Sequence, residues 1–220
     1  MLSIFASSNQ QAMGIAERKE KQKLEIRKMI LDASMKLFIE EGFEKVSIRK
    51  IADLIEYSPT TIYLYFRDKN EILYQLCEIG FSKMAAFNAE LAEIKNPLVR
   101  LHKMGENYIR FGLNYPEYYD LMFIQLAPME TLEKMKCGEW DQGDQTLNYL
   151  MQTIQECMDR KLMISGDVKA AAIAIWSLVH GMVALSLRRR WDKLIHEDEV
   201  IPSMNKALTW ILNSIDQSNT

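Results

Sequence analysis

Apolar residues return at intervals of three and four along almost the whole chain, and no stretch alternates with the period of two that a half-buried strand needs. From Lys21 to Glu41, Leu24, Met29, Ile30, Ala33, Leu37 and Phe38 mark one side of an amphipathic helix, and Gly42 stands where a helix-ending glycine belongs. Ser47 then caps a short helix to about Ile55, with Ile48, Ile51, Ala52 and Ile55 facing inward. A turn at Glu56-Tyr57 follows. Ser58 caps a second short helix to about Tyr65, and Pro59 takes its first position, where a missing N–H costs nothing. Asp68 caps a longer helix from Lys69 towards Glu93, with Ile72, Leu73, Leu76, Ile79 and Met84 on its buried side.

Two helices of barely two turns, joined by a tight turn and held between longer helices, predict a helix-turn-helix. Beyond it the helical period continues. Asn96-Pro97 opens a helix to about Tyr115, and Pro116 opens a short one containing Tyr118, Tyr119, Met122 and Phe123. A loop is expected around Ala127-Pro128, then helices from about Asp144 to Lys161, from Val168 to about Trp191 and from Glu199 to Ile215. The fold class is therefore all-α, a small N-terminal helix-turn-helix domain joined to a larger helical one.

Composition sharpens this only in places. With 220 residues, 48% of them hydrophobic, the chain is long enough for one large domain, or for a small one joined to a larger. Fourteen Met suggest adaptable apolar surfaces, although core packing accounts for any single one. Three cysteines, Cys77, Cys137 and Cys157, form no CxxC pair and suggest neither a disulfide framework nor a metal site, so a reducing cytoplasm is expected. The stretch from Met1 to Ala16 lacks the basic and apolar segments of a signal peptide and reads as a flexible extension. Ala170 to Leu187 is strongly apolar, but His180, Gly181 and many small residues make it read as a buried helix rather than a membrane span.

The net charge of −3 alone argues against nucleic acid. Divided by region it says more: residues 1–70 hold twelve Lys or Arg against ten acids, or +2, and residues 71–220 hold fifteen against twenty, or −5. The stretch RKEKQKLEIRK from Arg18 to Lys28 contributes six basic residues to the first part. A basic front on an acidic body suits a protein that touches phosphate with one end, while a solvated helix face would give the same run.

The segment VSIRKIADLIEYSPTTIYLYFRDKNEIL, Val46 to Leu73, with ILDASMKLFIEEGFEKVS before it, resembles the N-terminal DNA-binding domain of TetR/AcrR-type transcriptional regulators. The resemblance covers roughly residues 24 to 75 and rests on an ordered set: Ala33, Phe38, Gly42-Phe43, Ser47, Ile51-Ala52, Ser58, Ile62-Tyr63, Tyr65-Phe66, Lys69 and Leu73. One position departs. Where the family has a small residue and glycine in the turn, this chain has Ile55 and Glu56, and a left-handed Glu56 would cost about 1 kcal/mol relative to glycine.

The resemblance implies a sequence-specific regulator binding double-stranded operator DNA. The second short helix would enter the major groove by its N-terminal end, bringing Ser58, Pro59, Thr60 and Thr61 to base edges and the nearest phosphates. Small hydroxyl and apolar groups discriminate less than a bidentate arginine, so sequence preference would be spread over many contacts. By resemblance Tyr63 and Lys69 would each hold a backbone phosphate, with Ser47 and Asp68 capping helix starts whose dipoles favour anions and Arg49 and Tyr65 near the groove edge. Ile62 and Phe66 are core. The domain organisation follows as a flexible extension at 1–20, a helix-turn-helix domain at 21–68, a connecting helix at 69–93 and a helical ligand-binding and dimerisation domain at 94–220.

The stretches YPEYYDLMF and WSLVHGMVALSLRRRW resemble, more loosely, the WHG-type C-terminal domain found on some of these regulators, with Trp176, His180 and Gly181 as its namesakes. This implies ligand binding and dimerisation. Small residues from Ala170 to Ser186 allow close helix approach, and Ile201, Met204, Leu208, Trp210, Ile211 and Ile215 line the last helix. Two such helices from each subunit would make a four-helix homodimer interface, and a twofold dimer calls for a near-palindromic operator. Expected walls for an apolar or aromatic effector are Met104, Tyr108, Phe111, Met122, Phe123, Met151, Ile154, Cys157, Met158, Trp176 and His180. His180 must find a hydrogen bond from a ligand, from a buried partner such as a tyrosine, or from its counterpart across the dimer, and the structural partners are preferred. Arg188, Arg189 and Arg190 read as a solvated helix end.

No catalytic constellation accompanies these features. His102, His180 and His196 are isolated, and no nucleophile elbow, glycine-rich phosphate loop or HExxH motif occurs. No cofactor and no metal are called for. A ligand-responsive repressor without enzymatic activity is the expectation; a helical adaptor that binds only protein is the first alternative, and it leaves Ser58 to Lys69 unexplained, while a small-molecule enzyme is the more remote second.

Overall fold

The computed structural model describes residues 14–135 and 141–216, so most of the expected N-terminal extension and Cys137 lie outside the described residues. The described residues contain ten α-helices and no strand, only an isolated antiparallel bridge between Met163 and Asp216. They divide into two compact units, one up to Lys69 and one from Asn70 onward.

The first unit opens with α1 (Ile15–Glu41). This helix starts earlier than the apolar pattern indicates, because Glu17 in its first turn accepts the Gly14 N–H at 2.9 Å and the residues up to Lys23 are mostly good helix formers without an apolar stripe. Its buried face is also rotated. Ile26, Ile30, Leu31, Ser34, Leu37 and Phe38 point inward, whereas Leu24 and Met29 are exposed. Gly42 ends the helix at φ 84°, a conformation open to glycine at little cost.

After a 3-10 turn at Phe43–Lys45 come α2 (Ile48–Leu54) and α3 (Pro59–Tyr63). Their core joins Phe43, Val46, Ile51, Ala52, Ile62 and Phe66 to the inner face of α1, with the Phe38 and Phe43 rings edge to face at 5.1 Å. Both short helices are capped as their sequences require. Ser47 Oγ accepts from the Lys50 N–H and Ser58 Oγ from the Thr61 N–H, each at 3.2 Å.

The second unit takes in α4 (Lys69–Phe87) from its second residue on, α5 (Pro97–Asn114), α6 (Pro116–Tyr119), α7 (Ala127–Met135), α8 (Asp141–Asp159), α9 (Val168–Leu187) and α10 (Val200–Ile215). A π-turn at Asp120–Ile124 continues α6. At α7 a loop was expected and a helix is found: Pro128 fits within its first turn, and Thr131 and Leu132 are buried. Helix α5 is the axis of the unit and touches α8, α9 and α10. Glycine makes two of those approaches possible, since a Cβ at Gly105 would stand 2.7 Å from Leu208 and one at Gly112 would stand 2.4 Å from Val183. Arg100, though buried, is satisfied: it donates to the Ile94 carbonyl at 3.1 Å and to Glu156 at 2.5 Å, tying α5 to α8.

Helix α9 is long and apolar enough to cross a membrane by length and composition alone. Only 28% of that stretch is buried within the chain, so the expectation of a buried helix holds for one side of it. Ile173 and Leu185 lie exposed on the other side.

Candidate nucleic-acid interface and ligand cavity

The first unit gathers the expected DNA-facing residues around the two short helices. Ser47, Arg49, Ser58, Thr60 and Tyr63 are exposed, while Pro59, Thr61 and Tyr65 are half-buried. Tyr63 keeps 56% of its surface accessible, whereas its neighbour Ile62 is fully buried in the core. Ser58 Oγ also lies 3.0 Å from Thr61 Oγ1, so the first turn of α3 presents a bonded hydroxyl pair.

The turn between α2 and α3 is built on Glu56 at φ 60°, the left-handed conformation anticipated where glycine was missing. Its N–H donates to the Asp53 carbonyl at 3.3 Å, and the next N–H, of Tyr57, reaches the Ala52 carbonyl at 3.0 Å. These bonds close the end of α2 and hold the geometry despite the Cβ.

Lys69 is placed differently from its expected phosphate role. Its ammonium donates to the carbonyls of Phe43 at 2.9 Å and Val46 at 3.3 Å and lies 4.2 Å from the Phe43 ring centroid. Those carbonyls belong to the first residue of the 3-10 turn that precedes α2 and to the residue that follows it. The charge is committed to fixing that turn, which makes Lys69 a positioning residue in this arrangement. Asp68 accepts from Arg67 Nε at 3.2 Å. Of the arginine run in the second unit, Arg188 pairs with Asp120, and Arg189 pairs with Asp192 at 2.7 Å.

The second unit holds a half-open cavity of about 540 Å³ between α4, α5, the π-turn, α7, α8 and α9. Six of the expected wall residues line it: Met104, Tyr108, Met122, Phe123, Trp176 and His180. The other five do not. Phe111, Ile154, Cys157 and Met158 are buried in the packed core and Met151 is half-buried. The structure adds Phe81 and Met84 from α4, Leu101 from α5, Leu147 and Leu150 from α8, and Ile175 and Val179 from α9. Of these, Met84 was marked as inward-facing by its helical spacing, but nothing in a spacing separates a wall from a filled core.

One polar network crosses the cavity wall. Trp176 Nε1 donates to Tyr108 Oη at 3.2 Å, and Tyr108 Oη lies 3.2 Å from His180 Nδ1. Tyr119 Oη lies 2.8 Å from the same nitrogen and donates to the His180 carbonyl at 3.0 Å. Burial holds the His180 pKa below its ordinary value and pushes both tyrosines up, keeping the whole network uncharged. His180 thus has structural partners of the tyrosine kind that its sequence context calls for. Cys157 is also held as a thiol, its pKa pushed up to about 11 by burial.

Comparison with known proteins agrees with this architecture. Residues 30–76 match the family of bacterial regulatory proteins of the tetR type, and residues 101–204 match a tetracyclin repressor-like C-terminal domain; together these cover more than half of the chain. The chain is similar to the HTH-type transcriptional regulator AcrR of Shigella flexneri, 25% identical over 76% of this chain and 80% of that protein. Among solved structures, a TetR-family transcriptional regulator from Syntrophomonas wolfei superposes with a TM-score of 0.68 at 21% identity, covering 90% of this chain and all of that one. The fatty acid degradation regulator FadR from Bacillus halodurans gives 0.64 at 18% identity, over 83% and 93%.

Proposed function

Because the chain belongs to the TetR family of bacterial regulatory proteins and is a DNA-binding transcriptional regulator rather than an enzyme, we propose that it works as a ligand-responsive repressor, binding a near-palindromic operator as a homodimer. The observation that carries this reading is the exposed edge of α3. Ser58, Thr60 and Tyr63 face solvent there while Ile62 and Phe66 anchor the helix from beneath. Pro59, Thr61 and Tyr65 complete the edge, and Ser47 and Arg49 at the start of α2 supply backbone contacts beside it.

The dimer reading rests on α9 and α10. Ile173 and Leu185 on α9 and Ile201 and Trp210 on α10 are exposed within the single chain, among small residues such as Ala170 and Ala174. A second copy would bury them against their own equivalents, as a twofold interface requires. Two recognition helices roughly 34 to 36 Å apart would then read two half-sites.

The ligand response rests on the cavity, whose walls suit an effector with apolar or aromatic bulk and few polar handles. Linkage gives the mechanism. An effector that binds better to a subunit arrangement with misplaced recognition helices weakens operator binding by the same differential, typically about 1 to 3 kcal/mol. Helix α4 is the lever in this reading, since it carries Lys69 at its start and the cavity residues Phe81 and Met84 further along. Such a protein works where the operator is, in the cytoplasm.

A gel shift on the DNA upstream of the protein's own gene tests the reading. A retarded, salt-sensitive complex that competitor DNA of unrelated sequence does not remove is expected. Failure to retard that DNA or any fragment selected from the genome would overturn it.

A further inference from the structure

The first turns of α1 carry a charge asymmetry that the core of the first unit does not need. The helix runs ahead of that core: every residue from Ala16 to Glu25 is exposed, and Ile26 is the first side chain it buries. This stretch, about 15 Å of helix, precedes the residues 30–76 that match the family.

Its charges are sorted by side. With about 100° between successive residues, Glu17, Glu20, Glu25 and Asp32 fall on one half of the helix together with Lys21 and Lys28. Each of those two lysines meets an acid four residues on, Lys21 with Glu25 at 3.9 Å and Lys28 with Asp32 at 2.6 Å. The other half holds Arg18, Lys19, Lys23 and Arg27 without an acid, in line with the buried Ile26 and Ile30. Among the described residues, Lys19 and Lys23 pair with no carboxylate. Arg27 shows which way this half faces: its guanidinium lies 4.9 Å from the centroid of Phe66, the ring buried beneath α3.

Resting on the reading of α3 as the edge that meets DNA, we propose that Lys19 and Lys23 form a further nucleic-acid contact, a sequence-independent grip on the phosphate backbone of duplex DNA outside the helix-turn-helix. A merely solvated helix would be paired on both sides, whereas here the pairing is confined to the half turned away from the core. Lys19 and Lys23, like Lys23 and Arg27, are like charges four residues apart, an arrangement that opposes the helix. A row of anions lying along them removes that opposition. The two lysines stand about 6 Å apart along the axis, and a DNA strand offers a phosphate about every 3.4 Å of duplex, so both reach one strand together. Their flexible stems and compact charges suit phosphates without a fixed orientation, which is why the grip carries no base preference.

Fluorescence anisotropy of the full chain across a salt series tests this, with a fragment selected from genomic DNA and a random-sequence duplex of the same length. Lys19→Gln with Lys23→Gln should make the salt dependence shallower by about two per subunit bound. Affinity for both duplexes should fall by the same factor, about tenfold at about 0.15 M salt, with the melting temperature unchanged. Lys21→Gln with Lys28→Gln removes the same charge from the paired half and should keep the slope. An unaltered slope in the first variant, or equal shallowing in both, overturns the grip while α3 keeps its own test. A loss on the selected fragment alone assigns these lysines to sequence reading and overturns the grip as well. Failure of the unaltered protein to bind either duplex overturns the α3 reading and the grip with it.

Discussion

The ammonium of Lys69 and the backbone of Phe43 form the fastening of the DNA-binding unit, 2.9 Å from nitrogen to carbonyl with the Phe43 ring 4.2 Å away. A lysine held this way spends its N–H groups on the turn at Phe43–Lys45 rather than on a phosphate oxygen. Replacing it with alanine should therefore lower stability by about 1 to 3 kcal/mol, as carbonyls bonded to a charged donor lose their partner. The salt dependence of operator binding should keep its slope, because no phosphate contact is removed. Thermal melting of Lys69→Ala and its binding across a salt series check both; a slope shallower by about one would return Lys69 to the phosphate.

Tyr63 behaves in the opposite way. Its ring is mostly exposed, so Tyr63→Ala should leave the melting temperature nearly unchanged. Operator affinity should fall by about 1 to 2 kcal/mol, the worth of one hydrogen bond to a charged oxygen with its packing. Fluorescence anisotropy with labelled operator measures it, and unaltered affinity in a folded variant would exclude the contact.

The helix-turn-helix could be read from the chain because its signals are local. Ser47, Ser58 and Pro59 state where helices begin, Gly42 where one ends, and the turn strain at Glu56 follows from one missing glycine. What stayed hidden depends on neighbours distant in sequence. The inward turn of Lys69 needs a carbonyl 26 residues away, and the division of inward-facing residues into cavity wall and filled core depends on where two helices diverge. Phe111 and Tyr108 share a face of α5 by spacing, yet Phe111 is packed solid and Tyr108 borders open volume. The α7 helix was missed because Ala127-Pro128 signals a break in the chain and a first turn equally well.

Glu56 offers a gain in stability. With φ at 60° its Cβ opposes the conformation, and glycine removes that opposition at some cost in unfolded-chain entropy. Glu56→Gly should stabilise the protein by up to about 1 kcal/mol. Urea unfolding of the two forms would show a higher midpoint with an unchanged slope, and a lower midpoint would mean that the strain is already relieved by the bonds around the turn.

Trp210 is the most exposed tryptophan among the described residues, 71% accessible on α10. If a second copy covers it, Trp210→Asp places a charge in a dry interface and should turn a dimer into a monomer at micromolar concentration, with operator affinity lost in parallel. Sedimentation velocity reads the first effect and a gel shift the second. A variant that sediments as the unaltered protein does would remove α10 from the interface.

His180 makes stability depend on acidity in a defined direction. Burial disfavours its charged form, so its folded pKa lies below the ordinary value of 6.5. The unfolded chain therefore takes up a proton at a higher pH than the folded one. The stability that the neutral imidazole contributes is complete above about 6.5 and drains away as pH falls from there towards the folded value. His180→Gln loses the Nδ1 bond to Tyr119 and should melt lower than the unaltered protein at pH 8, but the gap between the two should narrow at pH 5.5. Melting curves of both forms across that range decide it, and a gap of constant width would mean that His180 is not held neutral.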